Sequence, residues 1–281
     1  MLAVLTACTA TRMAYQQAPN LLHWWFDRQV DLDDAQSDWV RDDLNAFFAW
    51  HRREELPRIA DRLRAWQALA RGNPTHDELC READAIVDHL QRLGEQAAPP
   101  LARLALDLKP AQIGHLQQRQ ARSNEEFAED FLDGTPSERL RRRLDKAIDR
   151  TEWLYGSLNT EQRDLMRREL QASPFDAERA QAERLRRQRD LIDTVRQAQA
   201  EPSRAEALAR AYLRRLSQSP TPGHDTYTRA QLRHGCAQFA TLHATPTPAQ
   251  RDRAVTRLQE LESDARTLSA ARSSAGAALR P

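Results

Sequence analysis

The sequence predicts an all-α protein, an elongated bundle of about nine or ten helices with no sheet. Three observations predict it. The chain is 30% charged with a mean hydropathy of −0.77, yet rich in leucine and alanine, which suits long amphipathic helices with one buried stripe. Only eight glycines and few β-branched residues are present, which argues against strands. Apolar residues recur at helical spacing between short separators made of Gly, Pro, Asn and Thr.

Taken in order, residues 1–7 form a short apolar run that ends in Leu5-Thr6-Ala7-Cys8. An apolar run, small residues and then cysteine is the form of a lipoprotein signal peptide at its cleavage site. On that reading residues 1–7 are a truncated signal peptide whose true start lies upstream, and Cys8 is the lipid-modified first residue. Residues 8–19 are then a lipidated tether ending at Pro19. A single helical domain is expected over 20–272, followed by a disordered tail over 273–281.

Within the domain, Leu21 to Val30 reads as a first helix, and Asp33 as the N-cap of a long one reaching Arg71, kinked or broken at Pro57. Gly72-Asn73-Pro74 closes it, and Thr75 opens a helix toward Gly94, with a break at Pro99-Pro100. Further helices are expected over 110–133, 137–157, 160–172, 175–199, 203–217, 226–243 and 248–272. The tryptophans concentrated in the first quarter (Trp24, Trp25, Trp39, Trp50 and Trp66) read as core, with Trp24-Trp25 at a membrane surface as the alternative.

Four of these helices begin with a similar phrase. They are Leu32-Asp33-Asp34-Ala35-Gln36, Leu108-Lys109-Pro110-Ala111-Gln112, Leu158-Asn159-Thr160-Glu161-Gln162 and Pro246-Thr247-Pro248-Ala249-Gln250. Its physical content is a capping box, in which the N-cap side chain accepts from the N3 amide and a glutamine at N3 reaches back. Asp33, Asn159 and Thr247 are workable caps, whereas Lys109 is not. The phrase resembles the Leu-Thr-x-x-Gln motif of the periplasmic family that includes Spy and CpxP. That resemblance implies an all-helical, cradle-shaped protein with ATP-independent chaperone or envelope-stress roles. A second resemblance rests on the lipobox-like start, Trp24-Trp25-Phe26-Asp27, Val30-Asp31-Leu32, Trp50 through Pro57, and Glu152-Trp153 with Gly156 and Leu158 to Gln162. Together these residues resemble a family of Gram-negative lipoproteins of unknown function, which implies location and helical fold and brings no catalytic residues.

The block Trp50, His51, Arg52, Arg53, Glu54, Glu55 is the candidate functional patch, since His51 and Glu55 share a helix face at i, i+4. A histidine beside a carboxylate suits a general base or a pH sensor; a structural junction is the competing reading. No nucleophile with a glycine turn accompanies it. Cys80 and Cys236 either form a disulfide or are separately buried thiols. Joined by His76 and His234 they also have the composition of a Cys2His2 zinc site, although neither spacing is a zinc-finger pattern. No metal and no cofactor is expected. Arg139, Arg142, Arg143, Lys146 and Arg150 form a basic face suited to anionic partners, with Arg184, Arg186, Arg187 and Arg189 echoing it. The competing reading is a solvated face paired with acids, in keeping with a net charge of +1. That balance gives no pull toward nucleic acid.

The expected function is therefore that of an outer-membrane lipoprotein, facing the periplasm, with a binding role for envelope proteins or unfolded clients and no catalysis. A structural spacer of the envelope is the alternative, and an enzyme of unrecognised type is third.

Overall fold

A computed structural model describes residues 2–270, with side chains from residue 10 onward. The side chain of Cys8, and with it the expected lipidation, lies outside what is described, as does the tail over 273–281. Eleven α-helices follow one another, and no strand occurs among the described residues. They are α1 (Leu2–Val30), α2 (Asp34–Trp50), α3 (Leu56–Arg71), α4 (His76–Asp107), α5 (Pro110–Phe131), α6 (Pro136–Tyr155), α7 (Thr160–Ala172), α8 (Ala177–Ala200), α9 (Ala205–Ser217), α10 (His224–His243) and α11 (Pro248–Ala270). A π-helical turn, His51–Glu55, fuses α2 to α3, so the chain folds as ten helical rods.

The core is a series of small clusters rather than one thick centre. The seam between α3 and α11 is the most regular. Leu56, Ala60, Leu63 and Ala70 face Val255, Leu258, Ala265 and Leu268 at steps of three and four residues. Ala60 is fully buried in it, and the small side chains of Ala60, Ala70 and Ala265 let the two helices approach closely. Each leucine so covered contributes about 1.5–3 kcal/mol. A second cluster joins Val30, Val40, Leu104, Leu108, Ile113 and Val195 from α1, α2, α4, α5 and α8. A third gathers Leu144, Ile148, Leu158, Met166 and Leu242 from α6, α7 and α10.

Three proline sites differ from expectation. Helix α1 runs unbroken through Pro19, so residues 8–19 are helical in place of the expected tether. Contacts of Tyr15 with Phe48 and His51 on one side, and of Phe26 and Val30 on the other, offset the one hydrogen bond that a proline removes. Helix α4 runs through Pro99-Pro100 without a break. The carbonyl of Glu95, which Pro99 leaves without its amide, accepts instead from Arg210 of α9. At Pro57 the helix neither breaks nor ends. The π turn just before it widens the coil, Leu56 N–H bonding to the carbonyl of His51 five residues back, and so makes room for the proline ring.

The four glutamine boxes meet in pairs. Gln36 of α2 and Gln112 of α5 exchange side-chain amide hydrogen bonds of 3.2 and 2.6 Å. Gln162 of α7 and Gln250 of α11 do the same at 2.9 and 3.1 Å. In each case the carboxamide oxygen also accepts its own N-cap N–H, from Asp33, Lys109, Asn159 or Thr247. The remaining N–H of each amide reaches the backbone carbonyl five residues before its partner glutamine: Gln36 to Asp107, Gln112 to Asp31, Gln162 to Thr245 and Gln250 to Ser157. Both donors and both acceptor positions of every carboxamide are thereby filled, which is what permits Gln36, Gln112 and Gln162 to be buried. Lys109, which has no acceptor to offer its own helix, donates across the clasp to Asp33 at 2.5 Å.

Candidate functional site

The π turn carries the residues singled out between Trp50 and Glu55, but it rearranges their partners. Glu55 is fully buried, and its carboxylate accepts from Arg58 (2.5 Å), from His89 Nδ1 of α4 (2.7 Å) and from Arg92 of α4 (3.1 Å). These donors overcome the desolvation of a buried carboxylate and hold its pKa down at about 2. His51 and Glu55, expected to share a helix face, take different partners, because i, i+4 residues no longer superpose in a π turn. His51 instead bonds through Nδ1 to Tyr15 Oη of α1 at 2.8 Å, and its ring lies 6.1 Å from that of His89. Burial lowers the pKa of His51, helped by the nearby His89, while burial raises that of Tyr15. Arg52 stands over the Tyr15 ring, and Arg53 pairs with Glu54 at 2.8 Å. A carboxylate so neutralised is a poor base near neutral pH. The cluster is an ionic joint that ties α1 and α4 to the bend between α2 and α3.

The basic face over 139–150 is largely turned to internal use. Arg139 donates to the carbonyls of Leu132 and Gly134, and Arg142 to those of Asp130 and Asp133. Between them they cover the C-terminal end of α5, where carbonyls lack intrahelical donors. Arg143 covers the Phe175 ring, Lys146 pairs with Asp130 at 2.7 Å, and Arg150 is exposed. In the echoing run, Arg186 and Arg187 bind buried Glu183, which these arginines and the hydroxyls of Ser219 and Thr221 hold at about 2 against burial. Arg186 also pairs with Asp190.

Cys80 and Cys236 form a disulfide that joins α4 to α10 across 156 residues. His76 Nε2 lies 3.7 Å from Cys80 Sγ, and its Nδ1 bonds Asp77. His234 is not part of this group, since its Nε2 bonds the carbonyl of Glu169 in α7. Of the residues with Cys2His2 composition, only His76 and the two bridged sulfurs lie together.

Trp24 and Trp25 are not core, being 56% and 47% exposed on α1 beside exposed Leu21. Trp25 instead stands at a groove that sequence reasoning missed. This groove, about 650 Å³, opens between α1, α4, α5, α8 and α9, with Phe26, Leu104, Leu116 and Val195 among its walls. A second cavity of about 430 Å³ continues from it, sharing Gln120, Arg184, Gln188, Leu191 and Tyr212. Arg119 also lines the groove, and its Nε is buried with no hydrogen-bond partner. A signal for it was available: Arg119 follows Ile113 and Leu116 at helical spacing, a charge placed on the apolar side of α5.

Residues 28–214 match a family described as a family of unknown function, DUF6279. No curated protein and no solved structure matches the chain.

Proposed function

The chain belongs to the DUF6279 family of unknown function, and we propose that it is an envelope lipoprotein with a binding role, anchored at the outer membrane through Cys8. The observation that carries the binding role is the apolar groove between α1, α4, α5, α8 and α9, whose volume lies in the range of ligand pockets. Three features support the address. Leu5-Thr6-Ala7-Cys8 has the form of a lipoprotein cleavage site. A disulfide between distant helices suits an oxidising compartment. Exposed Leu21, Trp24 and Trp25 line up on the helix that would carry the anchor, with the amphipathic rings that favour a membrane interface.

The role is chaperone-like or that of an assembly adaptor, holding guests that present apolar groups without nucleotide-driven release. The resemblance to the Leu-Thr-x-x-Gln proteins belongs to this reading, and the paired glutamine clasps are the feature here that corresponds to that motif. Catalysis is not part of it, because the most perturbed carboxylates, Glu55 and Glu183, are saturated with cationic and hydroxyl donors.

The test has two parts. Intact mass and membrane fractionation of the natively expressed protein, beside Cys8→Ala, are expected to show an acylated outer-membrane form that the variant lacks. An unmodified soluble form would overturn the address. Nile red binding to the full-length Cys8→Ala chain is expected at one site per chain and lost in Leu104→Asp. Absence of any saturable site would overturn the binding role.

A further inference from the structure

We propose that the groove is a binding site for a single-chain amphiphile with an anionic head, the acyl chain lying along the apolar walls and the carboxylate or phosphate meeting Arg119 and Arg184. The proposal rests on the binding role above and names the guest.

The charge pattern of the groove carries it. Most arginines near its walls are neutralised: Arg186 and Arg187 by Glu183, Arg215 by Asp190, Arg103 by Asp43. Two that line it are not. Among the described residues Arg119 has no ion-pair or hydrogen-bond partner, although it is partly buried and its Nε wholly so. Arg184 has only neutral partners: the Ser123 hydroxyl (2.6 Å) and carbonyl (3.2 Å), the Asn124 carboxamide (2.7 Å) and the face of Phe127. The one acidic residue on the wall, Glu126, is exposed to solvent. An unpaired guanidinium at an apolar cavity is unfavourable unless an anion joins it. Charge complementarity therefore selects an anionic group at this end.

The other end selects what is attached to the anion. Between Phe26, Leu101, Leu104, Leu108 and Val195 the walls are mostly apolar, with Gln29 and Thr194 as the polar side chains beside them and the Thr194 hydroxyl already donating to the Asp190 carbonyl. A peptide segment laid there would leave most of its backbone amides and carbonyls without hydrogen bonds, at a cost for each. An acyl chain has no such groups, and each methylene it buries contributes about 0.8 kcal/mol. Because the two cavities share Arg184, Gln188 and Tyr212, an elongated guest fits along one continuous path from apolar wall to arginine.

Titrations of the full-length Cys8→Ala chain, followed by tryptophan fluorescence below the micelle concentration, compare palmitate, lysophosphatidate and neutral hexadecanol. The expected result is one site per chain, with at least one anionic probe bound about tenfold or more tightly than hexadecanol, as a desolvated charged hydrogen bond implies. Preference for palmitate or for lysophosphatidate identifies the head as carboxylate or phosphate. Arg119→Gln is expected to weaken the anionic probe about tenfold and leave hexadecanol unchanged; if that variant does not fold, the wild-type comparison still decides. Equal binding of anionic and neutral probes overturns the proposal while leaving the apolar binding role intact. No binding of any amphiphile, with an unfolded client still protected from aggregation, also overturns the proposal alone. Failure of both assays overturns the proposal together with the binding role.

Discussion

The two glutamine clasps are built to one plan and finished differently. In the clasp of α2 with α5 both glutamines are buried, both motifs open with leucine, and an Asp33–Lys109 ion pair crosses between the N-caps. In the clasp of α7 with α11 only Gln162 is buried, Gln250 is half-buried, and Gln162 reaches Thr245 at a longer 3.3 Å. The backbone before each also differs. Asp31 holds a positive φ (57°) with a side chain, whereas Gly156 takes φ 81° with ψ −169°, a region essentially restricted to glycine. A neutral amide pair thus serves as a tie point both in a dry core and near solvent, and the drier one bears the higher cost if broken.

The largest effect is expected from Gln36→Glu, which replaces two donors by a carboxylate facing Gln112 Oε1 and the Asp107 carbonyl. A loss of about 3–5 kcal/mol is expected by chemical denaturation, against roughly half that for Gln250→Glu. Equal losses would erase the distinction between the clasps.

Acid comes next, and it separates the amide clasps from the ionic joints. Glu55 and Glu183, held at about 2, contribute stability that is fully present above the ordinary carboxylate value near 4.5 and disappears as pH falls toward 2. Each accounts for about 3 kcal/mol. His51, His224 and His243, whose pKa values burial lowers, add a milder loss as pH drops below 6.5, because the unfolded chain then binds the proton more readily. A Gln112→Ala variant is expected to melt lower at every pH by a constant amount, since amides do not titrate. A pH-dependent offset would mean the clasps and the ionic joints are coupled.

Backbone substitutions are expected to have opposite signs at the two sites. Gly156→Ala destabilises by about 1–2 kcal/mol, because its methyl group would sit at positive φ and 3.0 Å from Arg253 Cδ. Asp31→Gly is expected to raise the melting temperature slightly, because glycine takes the positive φ of that position without a side-chain penalty. Smallest of all, Lys109→Ala should lower stability a little at low salt and not at high salt, where an exposed ion pair is screened.

Much of the architecture is legible in the residues themselves. The caps at Asp33, Thr75 and Asn159 mark true helix starts, and the separators at Gly72, Gly134, Gly156 and Gly223 mark true breaks. What local sequence does not carry is the partner of each group. Pro99-Pro100 reads as a break because nothing nearby reveals that Arg210, more than a hundred residues on, takes the orphaned carbonyl. The glutamine boxes read as four separate helix starts, since their pairing spans 76 and 88 residues. His51 and Glu55 read as a pair under a helical period that the π turn alters. Trp24 and Trp25 read as core from composition, although α1 leaves them outward. For the groove, the legible trace is a single arginine on an apolar face.

The disulfide also decides how this chain answers to force. Residues 80–236 form a closed ring, and each glutamine clasp staples one residue inside that ring to one on a tail: Gln112 to Gln36, and Gln162 to Gln250. The two tails in turn lie against each other along the α3–α11 seam. Tension applied at the two ends is therefore borne by that seam and by the covalent bond, while α5 through α9 stay slack. Roughly 500 Å of contour remains hidden in the ring until the bond is reduced. Of the groove's five walls, only α1 lies wholly on a tail, so a load on the amino end peels away one wall and leaves the other four standing.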